Sequence, residues 1–143
     1  MIYIDTSALV KVYIQETGTR QVKNLLQSAP LVGSALITKT ETSATLAKAV
    51  RMNYITTPDA QKAWEKFQSD WAFLFRIGLT ENLIDWAARL AWDYGLRSYD
   101  AIHLAAALSW QQTVGEPVTL ATFDKQLWET APRTGLSIWP QEW

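Results

Sequence analysis

The chain has 143 residues, 48% of them hydrophobic, which is enough for a continuous apolar core without covalent or metal staples, so one domain over residues 1–143 is expected. Thirteen Lys and Arg stand against fourteen Asp and Glu, a formal charge of −1, so no bulk positive field draws in a polyanion and any contact with nucleic acid must be local. The lack of cysteine excludes disulfides, thiol nucleophiles, iron–sulfur clusters and thiolate zinc sites. There is also no apolar run of bilayer length and no basic leader ahead of the acid at position 5, so the expectation is a cytoplasmic protein away from membranes.

Residues 1–5 form a short apolar run ending in an acid, the pattern of a buried strand that opens into a turn. SALVKVYIQE predicts a helix closed by Gly18. A second helix then runs to about Ser28, with Val22, Leu25 and Leu26 on its buried face, and Pro30 stops it. Residues 31–35 read as a second strand. The helix after it reaches about Tyr54, with Leu36, Ala44, Ala47 and Val50 recurring at helical spacing. Thr57 as cap and Pro58 at the first helical position start a helix to about Phe73. Residues 75–79 give a third strand, and Thr80 with Glu81 starts a helix that carries Leu83, Ile84, Ala87, Leu90 and Ala91 inward and ends at Gly95. Ser98 is expected to cap SYDAIHLAAALSWQQ, an Ala-rich segment apolar on most sides and therefore buried on most sides. Residues 118–122 form a fourth strand, Asp124 starts a short helix, and residues 136–139 make a last edge strand. Strands alternating with helices predict a parallel sheet covered on both faces.

Eight tryptophans are many for this length. Trp64, Trp71, Trp86, Trp92 and Trp110 fall at helical spacing and are explained by core or interface positions; a base-stacking platform would sit among basic residues, and these do not.

Asp5 and Asp124 each follow a predicted strand directly, so both should face the crevice beyond the carboxyl ends of the sheet. Asp100 lies in the first turn of its helix on the side of Leu104 and Leu108, and Glu41 lies near the start of its own helix. Singly, each has an ordinary explanation as a helix cap, a first-turn charge or a solvated carboxylate. Together, four acids at one end with no neighbouring Lys partner would repel one another unless a cation lay between them. Oxygen donors with a single histidine in the chain favour Mg²⁺ or Mn²⁺, and such a cluster suits phosphodiester hydrolysis.

The segments IYIDTSALVKVY, SALITKTE, LRSYDAIHLAAAL and LATFDKQL resemble, in order and spacing, the four blocks of PIN domain nucleases. The resemblance spans essentially the whole chain, and its first and third blocks are the most specific. It implies a three-layer α/β/α fold with a mostly parallel sheet of four to five strands. It further implies a metal-dependent endoribonuclease of the VapC toxin type, with Asp5, Glu41, Asp100 and Asp124 as catalytic metal ligands or near-ligands and Ser7 and Thr122 as supporting hydroxyls. Proteins of that type act on RNA, form homodimers and are silenced by a small VapB-like antitoxin.

Lys11, Lys39, Arg97 and Lys125 each fall near an acidic block and would give a local positive rim for the RNA backbone, with ordinary solvated charge as the competing account. His103, three residues after Asp100, is expected to support the site structurally, since metal-bound water makes a histidine base unnecessary. Two other functions compete: a PIN nuclease that processes host RNA without an antitoxin, and a PIN-like scaffold that binds without cutting. Phosphotransfer through Asp5 is disfavoured because DTSAL has no second acid two residues on.

Overall fold

A computed structural model describes residues Met1–Trp143. Five strands, β1 (Ile2–Ile4), β2 (Val32–Ala35), β3 (Phe75–Ile77), β4 (Thr119–Ala121) and β5 (Ser137–Trp139), form one sheet in the order β3-β2-β1-β4-β5, with every pairing parallel. Seven helices connect them: α1 (Thr6–Leu9), α2 (Thr19–Ser28), α3 (Ile37–Arg51), α4 (Thr57–Trp71), α5 (Glu81–Tyr94), α6 (Ser98–Val114) and α7 (Lys125–Thr130). The result is the expected three-layer α/β/α arrangement.

Successive strand residues point to opposite faces, and the two faces carry separate cores. Tyr3 and Leu120 pack with α5, α6 and α7, while Ile4 and Ala121 pack with α1, α2 and α4. The central helix of the first layer is α6, whose Ala101, Leu104, Ala105, Ala106 and Ala107 are all at most 1% exposed. Small side chains let that helix lie close to the sheet. Closeness is greatest at Gly33, where an added Cβ would stand 2.8 Å from the ring of the buried Trp110, itself stacked on Phe75.

Several local expectations are corrected. The helix expected over 7–16 ends early: α1 gives way to a 3₁₀ turn at Val10–Val12, and a loop follows. Gly18, at φ +95, opens α2 from its N-cap position as expected but does not close the first helix, and its missing Cβ makes room for Phe123 and Lys11. Thr56, not Thr57, caps α4; its hydroxyl accepts from the Asp59 N–H at 3.2 Å and Pro58 moves one place inward. At α6 the capping position belongs to Arg97, which makes no side-chain cap, and Ser98 is already helical. On α3 the buried face is Thr38, Thr42, Leu46 and Ala49, whereas Leu36, Ala44 and Ala47 are exposed. Ile84 is exposed on α5, and Trp92 is 90% exposed, so it is no core residue.

Candidate metal centre

From β1 the sheet grows toward β2 and β3 on one side and toward β4 and β5 on the other. Crossovers leaving in opposite directions open a crevice at the carboxyl ends of β1 and β4, the topological switch point. Asp5 stands one residue beyond β1 and Thr122 one beyond β4, and the Asp5 N–H bonds the Ala121 carbonyl at 3.1 Å.

The Asp5 side chain is buried, and it is held on all sides. One carboxylate oxygen accepts from the Ala8 N–H at 2.9 Å and from Ser7 Oγ at 2.8 Å; the other accepts from Thr122 Oγ1 at 2.6 Å. Ser7 Oγ in turn accepts from the Phe123 N–H at 2.7 Å, and Thr122 Oγ1 from the Asp124 N–H at 2.9 Å. The two hydroxyls thus tie the loop after β1 to the loop after β4. Burial pushes the Asp5 carboxyl above the usual range, and the nearby His103 charge and the hydrogen bonds from Thr122, Ala8 and Ser7 only partly offset it.

Glu41 reaches the crevice from α3. One of its oxygens receives Thr6 Oγ1 at 2.5 Å and His103 Nε2 at 2.7 Å. The other ring nitrogen of His103 shares a 2.8 Å hydrogen bond with the Tyr3 hydroxyl, and the imidazole is 2% exposed. Burial alone would lower the imidazole pKa. The Glu41 hydrogen bond and the charges of Asp5, Glu41 and Asp100 outweigh it and raise the value. For Glu41, burial pushes the carboxyl up, but His103 and then Thr6 reverse this and leave it below its ordinary value.

Asp100 and Asp124 meet on one guanidinium. Arg97 Nε donates to Asp100 at 2.9 Å and Arg97 Nη2 to Asp124 at 2.5 Å. The Asp100 carboxyl is raised by burial, lowered by the Arg97 hydrogen bond and raised again by the Asp124 charge, with a net upward shift. No Lys pairs with any of the four acids, but other basic groups do: Arg97 serves two of them and His103 a third.

The other expected basic residues differ in their surroundings. Lys11 is largely covered, with its ammonium on Glu16 and the Thr17 carbonyl, both at 3.0 Å, and 4.4 Å from the Phe123 ring centre. Lys125 lies 3.9 Å from Glu129 on its own helix, and Lys39 is exposed on α3. Sequence reasoning missed Thr6 and Tyr3. Thr6 sits next to Asp5, but only folding brings Tyr3 to His103, a hundred residues on.

No three of the acidic and imidazole side chains close around a single point as a metal cage. The donor set nevertheless fits a hard divalent ion. All of its candidate ligands are carboxylate oxygens, Asp5 is buried with a raised pKa, and Arg97 already stands as a cation between two of the others.

The family model described as the PIN domain matches residues 2–131. This chain belongs to the PIN domain family. The domain is 33% identical to Ribonuclease VapC45 of Mycobacterium tuberculosis over 146 residues, covering 99% of this chain and 96% of that protein. Among solved structures it is similar to Mycobacterium tuberculosis VapC20, a sarcin–ricin loop cleaving toxin, with a TM-score of 0.67, 17% identity and coverage of 95% of this chain and 96% of that one. It is also similar to a chain of a toxin–antitoxin complex from Klebsiella pneumoniae, with a TM-score of 0.57, 19% identity and coverage of 83% and 84%. Both structural likenesses are those of the fold. No helix is long and apolar enough to cross a membrane.

Proposed function

We propose that this PIN domain, spanning residues 1–143 as a single unit, is a cytoplasmic Mg²⁺- or Mn²⁺-dependent endoribonuclease and the toxin of a type II toxin–antitoxin pair. The observation that carries the reading is the arrangement at the β1/β4 switch point: a buried Asp5 locked by Ser7, Thr122 and a backbone N–H, beside Asp100 and Asp124 on a shared cation. The full-length relationship to a protein named a ribonuclease supports the reaction class.

A bound divalent ion would supply a water acidic enough to attack phosphorus at neutral pH and would offset charge on the phosphate oxygens. The residues of the chain do the positioning. Ser7 and Thr122 fix the Asp5 carboxylate in one orientation, in which it would serve as a ligand for the ion. Tyr3, His103 and Thr6 hold Glu41 in the same way. Asp100 and Asp124 complete the negative field from the other side, and Arg97 and the exposed Lys39 are the basic groups available to the RNA backbone. We assign a small VapB-like antitoxin as partner, in keeping with the toxin–antitoxin complex that shares the fold, and, from the family resemblance, a homodimer as the assembly.

The test is expression of wild type, Asp5→Asn and Asp100→Asn in a bacterial host, with RNA 5′ ends mapped and cleavage of purified RNA measured with and without Mg²⁺. Growth arrest and discrete metal-dependent cuts are expected for wild type alone. Undiminished cutting by either variant would sink the proposal.

A further inference from the structure

Asp124, like Asp5, has both carboxylate oxygens hydrogen-bonded. One accepts the Leu127 N–H at 2.9 Å as the cap of α7, and the other accepts Arg97 Nη2. Asp100 differs, because Arg97 Nε takes one of its oxygens and its other oxygen makes no hydrogen bond. Arg97 itself belongs to the loop just ahead of α6. Its side chain is 71% exposed, against 14% for Asp100 and 20% for Asp124, and its hydrogen bonds run only to these two acids. A guanidinium on a long stem facing water can leave such a pair at small cost, because exposed ion pairs are worth little. The Asp124 carboxylate cannot follow it, because its bond to the Leu127 N–H pins it as the cap of α7.

We propose that Arg97 is an exchangeable counter-ion of the metal centre. It clamps Asp124 to Asp100 while no divalent ion is bound, and it releases Asp124 when the ion takes that carboxylate. Arg97 is thus a positioning residue that sets metal affinity by competition. With Arg97 in place, the outward oxygen of Asp124 meets an ion only against the charge of the guanidinium; with Arg97 released, that oxygen is free to serve as a ligand while the other keeps the α7 cap. The inference rests on the metal-dependent reading of the site, and its test needs no RNA.

Calorimetric titration of Mn²⁺ into the full chain separates the two. Wild type is expected to bind the ion, and Arg97→Ala to bind it about tenfold more tightly, the scale of one charge-assisted hydrogen bond with an exposed partner. Arg97→Lys, which keeps the charge but not the two-pronged grip, is expected to fall between them. In an Asp124→Asn background the same Arg97→Ala change should move the affinity by less than about threefold, because the contested Asp124 carboxylate is gone and Asp100 still has one oxygen clear of Arg97. Equal or weaker binding by Arg97→Ala would overturn the proposal and make Arg97 a support of the site. An unchanged tenfold gain in the Asp124→Asn background would overturn it too, since the effect would then be general charge. If wild type and all variants fail to bind Mn²⁺, the metal-dependent reading itself falls, and the exchange with it.

Discussion

Replacing Asp5 separates its charge from its shape. Asn keeps an acceptor oxygen for the Ala8 N–H at 2.9 Å, so the α1 cap survives, and Asn and Asp are near-equal caps. Its oxygen would keep the Ser7 hydroxyl as a donor too, and its amide would donate toward Thr122 Oγ1, whose own hydrogen can turn to Ser7 Oγ, 3.3 Å away. The lost charge-assisted bonds are offset by removal of a buried carboxylate whose pKa is already raised by burial. Asp5→Asn should therefore lie within about 1 kcal/mol of wild type in metal-free buffer. Asp5→Ala loses the cap, about 1 kcal/mol, and leaves one of the Ser7 and Thr122 hydroxyl hydrogens without an acceptor, a further ~1–3 kcal/mol, with the same relief of charge. Alanine should then fall about 2 kcal/mol below asparagine. Urea unfolding with EDTA at pH 7 reads this directly, and at an m-value of about 2 kcal/mol/M the midpoints should differ by about 1 M. Coincident midpoints for the two variants would refute the reasoning, because the hydrogen bonds assigned to Asp5 would then carry no stability. Both variants should be inactive on RNA.

The His103–Glu41 pair gives the metal-free protein a pH signature. A histidine whose folded pKa is raised contributes stability that is fully present below its ordinary value of 6.5 and is lost as pH rises through the folded value, so the melting temperature should decline from about pH 6.5 upward. Glu41, lowered in the folded state, acts on the acid side: its contribution is present above 4.5 and fades as pH falls through its folded value. His103→Gln should flatten the alkaline slope in a pH series of thermal melts, and a slope that persists unchanged would assign it elsewhere. In the core, Gly33→Ala places a methyl 2.8–2.9 Å from the Trp110 ring, which is held between Gly33 and Phe75, so overpacking should cost about 1–3 kcal/mol in urea unfolding; a neutral result would mean the indole can shift.

The sequence carried the alternation of strands and helices because each element is punctuated by a residue with a physical reason to stop or start it, such as Gly95, Pro58 or Thr80. It carried the end of the sheet at which Asp5 and Asp124 fall, since parallel strands with helical crossovers put all their carboxyl ends together. The buried face of α3 was not legible. Apolar spacing selects Leu36, Ala44 and Ala47, but the helix buries Thr38, which hydrogen-bonds Ser34 at the end of β2, and turns Glu41 to His103; Thr42 is carried inward on the same face with no partner for its hydroxyl. A polar requirement at the site outweighed the hydrophobic stripe. The role of Arg97 was hidden for another reason: its partner Asp124 is 27 residues away, and only the packing of α6 beside the loop after β4 brings them together.

The competition between helix cap and site acid, drawn for Asp5 and Asp124 from sequence, dissolves in the geometry. An aspartate at an N-cap has its short side chain fixed by one hydrogen bond to the helix, and its second oxygen is then aimed in a direction the cap determines. In Asp5 the Ala8 N–H takes one oxygen and the other meets Thr122; in Asp124 the Leu127 N–H takes one and the other meets Arg97. Because both helices begin just beyond adjacent strands, both second oxygens are set at the same switch point. Capping is thus the means by which these two carboxylates are oriented. Glu41 and Asp100, which lie inside their helices, need outside partners to be held: Thr6 and His103 for the first, Arg97 for the second. The exposed guanidinium is the least firmly held of all these partners, so the Arg97 side of the centre is the side that opens to an incoming cation.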